Sequence, residues 1–345
     1  MSDWKAKAIK LAEKGDDSWR KIAEKLKQPK STVSDHLRKH FHGYVRPDDF
    51  IEPLPEPMQD YWKKIEEAVN SRLSERVVPK VKTPNKKFKR KNQHIIIGDT
   101  QARDDVSLSY MSAIGRYIAD KQPEKIIHIG DHYDFPSLSS YDKGKRSFEG
   151  RRLVKDLAAG KLGLEMLMQP IYDLQDYQIK NGLEVYDPIM IVTLGNHEDR
   201  LTRLQNDLPE LEGFLGDDPL KFEEHGWVVY PFLTPAYIDG IAYVHFMPNP
   251  MSGKPYGGSA MNILKQVGHS FVVGHKQTLD IAIRPIIGGK MQVGIVNGAC
   301  YPHEEAYKGN TGNNHFRGIT VLNEVEDGYG DPMFVSLKHL MERDS

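Results

Sequence analysis

The sequence predicts an α/β fold from about residue 93 onward, preceded by a small all-α unit. Two observations carry the α/β part. Five short apolar runs each lead into a residue that can hold a metal: QHIIIGD into Asp99, KIIHIGD into Asp131, PIMIVTLGNHE into Asn196 and His197, IAYVHF with His245, and SFVVGHKQ into His275 and Gln277. A short β-branched apolar run closed by Gly reads as a buried strand. Helical segments fall between these runs. SLSYMSAIGRYIAD follows the first, and RRLVKDLAAGKLGLEMLMQPIYDLQDYQIKNG separates the second from the third. A further strand-rich stretch runs from Trp227 to about Val296. The all-α part rests on residues 4–41, which carry helical spacing.

Within residues 1–42 a first helix is expected from about Trp4 to Lys14. Ser18 then caps SWRKIAEKLKQ, with Ile22, Ala23 and Leu26 on one face. Pro29 breaks that helix, and Ser31 opens STVSDHLRKHF, with Val33, Leu37 and Phe41 at helical spacing. Two short helices joined by a tight turn form a helix-turn-helix. The string SWRKIAEKLKQPKSTVSDHLRKHF resembles the helix-turn-helix domains of bacterial and phage DNA-binding proteins. The resemblance implies that Ser31, Thr32, Ser34 and Asp35 begin the recognition helix, where base edges are met, with Arg38 and Lys39 nearer the phosphates. The competing reading is a helical packing or oligomerisation module. His36 and His40 share a helix face but lack a third ligand, so a solvated or phosphate-facing role is expected of them.

Residues 43–92 read as a linker. Pro47, Pro53, Pro55 and Pro57 keep its start extended, 58–76 form one amphipathic helix, and PKVKTPNKKFKRK is basic. That basic run either grazes a nucleic-acid backbone or is merely solvated. Residues 93–345 form the third region.

Charge separates these regions. Residues 1–91 hold 23 Lys and Arg against 14 Asp and Glu, a balance of +9, whereas residues 92–345 hold 24 against 34, a balance of -10. A basic N-terminal part points to a polyanion partner. An acidic remainder suits a domain whose carboxylates hold cations. The single Cys300 excludes an internal disulfide and any Cys-based zinc site. No run reaches the roughly 18 apolar residues of a membrane span, and the N-terminus has no apolar signal core. A cytoplasmic protein with no membrane partner is expected.

The strand-end residues also name a family. GDTQ at 98–101, GDHYD at 130–134, GNHEDR at 195–200, His245 and GHKQ at 274–277 match in order and rough spacing the signature of calcineurin-like metallophosphoesterases. The resemblance covers about residues 93–325, and VHFMPNPMSGKPYGGSAMN is similar to phage-encoded members. It implies a four-layer α/β/β/α sandwich with two mixed sheets, and host cytoplasm as the compartment if the chain is phage-encoded. It implies two divalent metal ions, with Asp131 bridging them, Asp99 on the first, and Asn196, His245 and His275 on the second. His197 then protonates the leaving group or steadies the transition state. Arg200 clamps phosphoryl oxygens, and Asp134 orients His197 or another ligand.

Two positions depart from the pattern. The family places His where this chain has Gln101 and Gln277, both at the first metal. An all-oxygen set of Asp99, Gln101, Asp131 and Gln277 suits Mn²⁺ first and Mg²⁺ second, and suits Zn²⁺ or Fe poorly. Either the site is retuned and active, or the first metal is lost and the domain only binds. Outside the motifs, His132 lines the pocket or serves as a supporting or surface residue. Lys254 and Tyr256 sit in a Gly-rich segment that is a substrate loop or an ordinary one. His303 and His315 are not placed by sequence.

The expected function is a metal-dependent phosphoesterase acting on phosphodiesters, a nuclease or nucleic-acid-processing enzyme targeted by its DNA-binding domain. One alternative is a phosphomonoesterase or protein phosphatase. The other is a non-catalytic DNA-binding protein with a degenerate metal site. A homodimer is a further expectation, because helix-turn-helix proteins often pair on two half-sites.

Overall fold

The structure is a computed structural model that describes residues 7–11, 22–23, 25–27, 33, 92–140, 144, 146–211, 219–305 and 312–343. The chain divides into two compact units, Met1–Lys80 and Val81–Ser345. In the first unit Ala8, Ile22, Ala23 and Val33 form a small apolar core, with Ile9, Leu11 and Leu26 packed against it. These include the three residues that helical spacing puts on one face of the second expected helix. Ser31, Thr32, Ser34, Asp35, His36, Arg38, Lys39, His40 and the linker through residue 91 lie outside the described residues.

The larger unit is an α/β fold with two mixed sheets. Its strands in chain order are β1 His94–Ile97, β2 Lys125–His128, β3 Ile189–Thr193, β4 Val228–Tyr230, β5 Ala236–Ile238, β6 Ile241–Val244, β7 Phe271–Val273, β8 Asp280–Ile286, β9 Lys290–Val296, β10 Gly318–Glu326 and β11 Tyr329–Ser336. One sheet has the order β11-β10-β1-β2-β3-β4 and the other β5-β6-β7-β9-β8. β1 to β4 run parallel, as do β6, β7 and β9. Antiparallel hairpins close the β11 end of the larger sheet and both ends of the smaller one. The described helices after residue 92 are α1 Ser109–Lys121, α2 Leu153–Lys180, α3 Asp199–Asp207, α4 Ala260–Val267 and α5 Leu337–Glu342.

Parallel strands covered on both faces read as unbroken apolar runs. In HIII of β1 every residue is buried. Ile95 and Ile97 pack into a core with Ile114 and Ile118 of α1 and Leu164 and Leu167 of α2. Ile96 points the other way, into a core shared with Tyr243, Val272 and Ile295 of the second sheet. Across that sheet Ala242, Val244 and Phe271 meet Ile263 and Leu264 of α4. Burial of each such Ile contributes roughly 1.5–3 kcal/mol.

The helix ends follow local chemistry. α1 stops where Gln122 turns left-handed and donates its N–H to the Ile118 carbonyl, just before Pro123. α4 starts at Ser259, whose hydroxyl accepts from Asn262 N–H at 3.4 Å. α2 crosses closely over Tyr133. A Cβ at Gly160 would fall 2.0 Å from that ring, so only glycine fits there. The β10–β11 hairpin lies beyond the strand-rich stretch expected from sequence. β10 pairs antiparallel with β1 in the middle of the larger sheet.

Candidate metal centre

The five ligand-bearing runs are β1, β2, β3, β6 and β7, and each expected ligand follows the carboxyl end of its strand or lies just past it. Register keeps those ends level. Ile97 pairs with His128, His128 with Val192, and Val244 with Val273. A crevice beyond the carboxyl ends of parallel strands is where α/β folds place ligands.

Four side chains converge there. The Asn196 amide oxygen lies 2.9 Å from His245 Nε2 and 2.8 Å from His275 Nδ1. Asp131 Oδ2 lies 3.3 Å from His245 Nε2. One ligand-type atom each from Asp131, His245 and His275 fits within a 4.8 Å span. His245 Nδ1 lies 2.8 Å from the Ile129 carbonyl, which can only accept, so that nitrogen carries a proton. A neutral His245 therefore turns a lone pair toward the Asn196 oxygen and the Asp131 carboxylate. Three acceptors facing one another require a positive charge among them, from a second proton or a cation.

Charge coupling follows the same geometry. Burial alone would lower His245, but Asp131 and Asp99 beside it raise its pKa to about 9. Burial, with repulsion from Asp131, raises the Asp99 carboxyl to about 6. Asp131 is buried too, yet His197 and His245 hold it below the usual carboxylate range. Burial and the charge of His245 press His275 down to about 4. The site thus couples buried acids and imidazoles that cannot all be satisfied by each other.

Asp99 and Gln101 supply a second group of donors. Asp99 Oδ1 accepts the His275 N–H at 3.2 Å, while Asp99 Oδ2 and the Gln101 amide oxygen are buried with no hydrogen-bond partner. Such orphaned oxygens are costly unless a ligand meets them. Gln277, expected beside them, carries a hydrogen bond of its own. Its amide oxygen accepts the Tyr301 hydroxyl at 2.9 Å. Gln101, Asp131, His275 and Gln277 all take left-handed backbone, with φ of 42°, 51°, 63° and 60°. Non-glycine residues held there cluster at functional sites. Close approach adds to the constraint: a Cβ at Gly195 would lie 2.1 Å from Asp131 Oδ1.

His197 stands at the rim. Its backbone N–H donates to Asp131 Oδ1 at 2.9 Å, and its Nε2 lies 3.6 Å from Asp131 Oδ2. Its Nδ1 lies 2.9 Å from Asp134 Oδ1, an ion-pair contact off the hydrogen-bonding direction. Burial would lower His197, but Asp131 and Asp134 raise it above its ordinary value. Arg200 has a bracing role beside the phosphoryl clamp expected of it. Its Nη1 donates to the carbonyls of Asp134 at 2.8 Å and Phe135 at 3.3 Å, so it braces the loop after β2. His132 is fully buried between the Thr100 hydroxyl at 3.0 Å and the Gly160 carbonyl at 2.9 Å, which makes it a core imidazole. Lys254 is exposed, and Tyr256 packs on the core beneath α4. His303 stacks on Tyr301 and pairs with Glu305 at 3.2 Å. His315 meets the Tyr301 ring edge-on.

Two supporting residues escaped the sequence reading. Glu198, 1% exposed, accepts the N–H groups of Asp131 at 3.0 Å, Tyr133 at 2.8 Å and Gly195 at 2.8 Å. It clamps the loops after β2 and β3 together. Its position in GNHE is a visible signal, but its three partners are not. Arg103 binds Asp105 through two hydrogen bonds and lies 3.7 Å from Asp134 and 3.8 Å from Glu305.

Comparison with known proteins gives the chain a source class. It is 28% identical over 208 residues to the Gene 54 protein of Mycobacterium phage L5, covering 58% of this chain and 74% of that protein. It is 25% identical over 186 residues to the Gene 54 protein of Mycobacterium phage D29, covering 52% and 67%. The relatives are phage proteins. The expected likeness to phage-encoded proteins therefore holds at this coarse level. No protein-family profile matches the chain. One solved structure aligns with 72% of this chain and 99% of its own at 12% identity, but its TM-score of 0.28 carries no argument. No helix among the described residues is long and apolar enough to cross a membrane.

Proposed function

We propose that residues 93–345 form a calcineurin-like metallophosphoesterase domain of the four-layer kind, which hydrolyses phosphodiesters of nucleic acid. We further propose that the N-terminal unit is a helix-turn-helix that targets the enzyme to DNA. One observation carries the reading: His245 is fixed through Nδ1 so that its Nε2 converges with the Asn196 and Asp131 oxygens and His275, a donor set that a divalent cation would satisfy. Asp131, Asn196, His245 and His275 would hold one divalent ion. Asp99 and Gln101, with their orphaned oxygens, and the bridging Asp131 would hold the other. Such ions neutralise an anionic diester and lower the pKa of a bound water.

The chain's own groups do the rest. Asp134 engages His197 Nδ1 and so leaves Nε2 as the atom turned toward Asp131. Asp131 and Asp134 raise the pKa of His197, which favours the protonated imidazole that a leaving oxygen would draw on. Glu198 and Arg200 fix the loops that aim these residues. Oxygen-rich donors at the first ion favour Mn²⁺, then Mg²⁺.

The decisive experiment is hydrolysis of an aryl phosphodiester in Mn²⁺, Mg²⁺ and Zn²⁺ beside His197→Ala. Turnover in Mn²⁺ that collapses in the variant is expected. A folded, metal-loaded protein with no turnover in any metal would defeat the reading. The Gln101→His, Gln277→His double variant should raise zinc content, read by elemental analysis; unchanged content would remove the retuning argument. The hydrogen bond from Tyr301 to Gln277 favours one second reading, in which only the imidazole-bound ion is present and the domain binds without turnover. Salt-dependent DNA binding with a single bound metal would mark that outcome.

A further inference from the structure

A second cleft lies on the free edge of the larger sheet, of about 570 Å³, within the size range of small-ligand sites. Its floor is the edge strand β11, from Met333 to Ser336, and its walls come from Tyr117 and Lys121 of α1, Phe316, and His339 and Arg343 at the C-terminal helix. Phe316 and Phe334 meet edge to face, with centroids 6.1 Å apart. The Lys121 ammonium and the Arg343 guanidinium both lie over the Tyr117 ring, at 5.5 Å and 5.3 Å. One carboxylate, Asp120, serves both cations, at 3.1 Å and 3.3 Å.

The charge here runs against its surroundings. The region from residue 92 on carries ten more acids than bases, yet the described lining of this cleft holds Lys121, Arg343 and His339 and no acid, with Asp120 beside it. Half-exposed aromatic rings beside a cation surplus suit a planar, anionic ligand. Bases stack on aromatic faces whatever their identity, and Lys and Arg take the phosphate. The cleft also adjoins the catalytic side through the chain. Phe316 precedes Arg317, whose guanidinium lies 5.5 Å over the Tyr301 ring, and Tyr301 holds Gln277.

We infer that this cleft is a nucleoside-phosphate site, with the base against Phe316 and Phe334 and the phosphate on Lys121, His339 and Arg343. It stands apart from the phosphoesterase reading, because its groups share none of the metal donors.

The test is calorimetric titration of the full chain in excess chelator with adenosine 5′-monophosphate, adenosine, inorganic phosphate and a short single-stranded oligonucleotide. Adenosine monophosphate should bind more tightly than adenosine or phosphate alone. Phe334→Ala and the more exposed Lys121→Gln should each weaken binding about tenfold, while Asp131→Asn leaves it unchanged. If the oligonucleotide binds much more tightly than the mononucleotide, the natural source is a nucleic-acid strand; comparable affinities assign a free nucleotide. No binding by the folded protein would overturn the inference, and so would equal binding by wild type and both cleft variants.

Discussion

The two ends of strands β1 and β2 hold the same kinds of side chain and do opposite things with them. At the amino end, His94 is fully buried between the Tyr243 hydroxyl at 2.7 Å and Asp239 at 2.8 Å. Lys125 reaches the same carboxylate at 2.8 Å and the Asn92 amide oxygen at 2.5 Å. Asn92 in turn donates to the Val325 carbonyl at 2.7 Å. That network closes on itself and ties the two sheets together. At the carboxyl end, Asp99, Gln101, Asp131, His245 and His275 leave oxygens without partners and acceptors facing acceptors. Histidine, aspartate and asparagine in a buried place therefore do not mark a site. Unmet acceptors from several strands that converge on one point do.

That contrast can be broken at several points. The largest effect is expected at the rim of the carboxyl end, where His197→Ala should cut turnover by about 10²–10⁴-fold with metal content unchanged. A tenfold loss or less would reduce His197 to a bystander.

Glu198→Gln comes next. It replaces a buried carboxylate that accepts three backbone N–H groups, and should cost about 3 kcal/mol in urea unfolding. An unchanged midpoint would show that the two loops hold their places without it.

The amino end is probed by pH. Burial, with the charge of Lys125, lowers His94 to about 4 from 6.5, against the pull of Asp239. A lowered folded pKa means that the fold prefers neutral His94. Its stability contribution is complete above the unfolded value of 6.5 and is lost as pH falls toward 4, by up to about 3 kcal/mol. Unfolding in chelator at pH 7 and pH 4.5, for wild type and His94→Gln, checks this. The variant should show the shallower acid dependence, and equal slopes would disconnect His94 from acid stability.

The smallest effect is expected of Tyr301→Phe, about 1 kcal/mol for one hydrogen bond. Because it releases the Gln277 oxygen, it should also tighten manganese binding if Gln277 is a latent ligand. Weaker manganese binding in that variant would count against Gln277 as a donor.

The strand ends were legible because β-branched runs closed by Gly and a ligand residue leave a short-range trace. Asp131, His197 and His275 could be marked on sequence alone. What escaped depends on partners far along the chain. His94 reads as an ordinary residue opening a strand, and its acid lies 145 residues away. Arg200 reads as an anion clamp beside GNHE, and its hold on two carbonyls of the loop after β2 leaves no trace there. β11 carries Pro332, which a central strand would not tolerate and an edge strand does. The Tyr301–Gln277 bond joins segments that only folding brings together.

The left-handed backbone at Gln101, Asp131, His275 and Gln277 has a thermodynamic corollary. Glycine would relax all four positions. A chain tuned for robustness alone would carry it there, so this one sits below the ceiling its own scaffold allows. On warming, these four junctions should loosen ahead of the sheets that support them, with their amides exchanging with solvent deuterium before those of the central strands. The place where the protein is most exacting about chemistry is then also where its backbone is held furthest from its own preference.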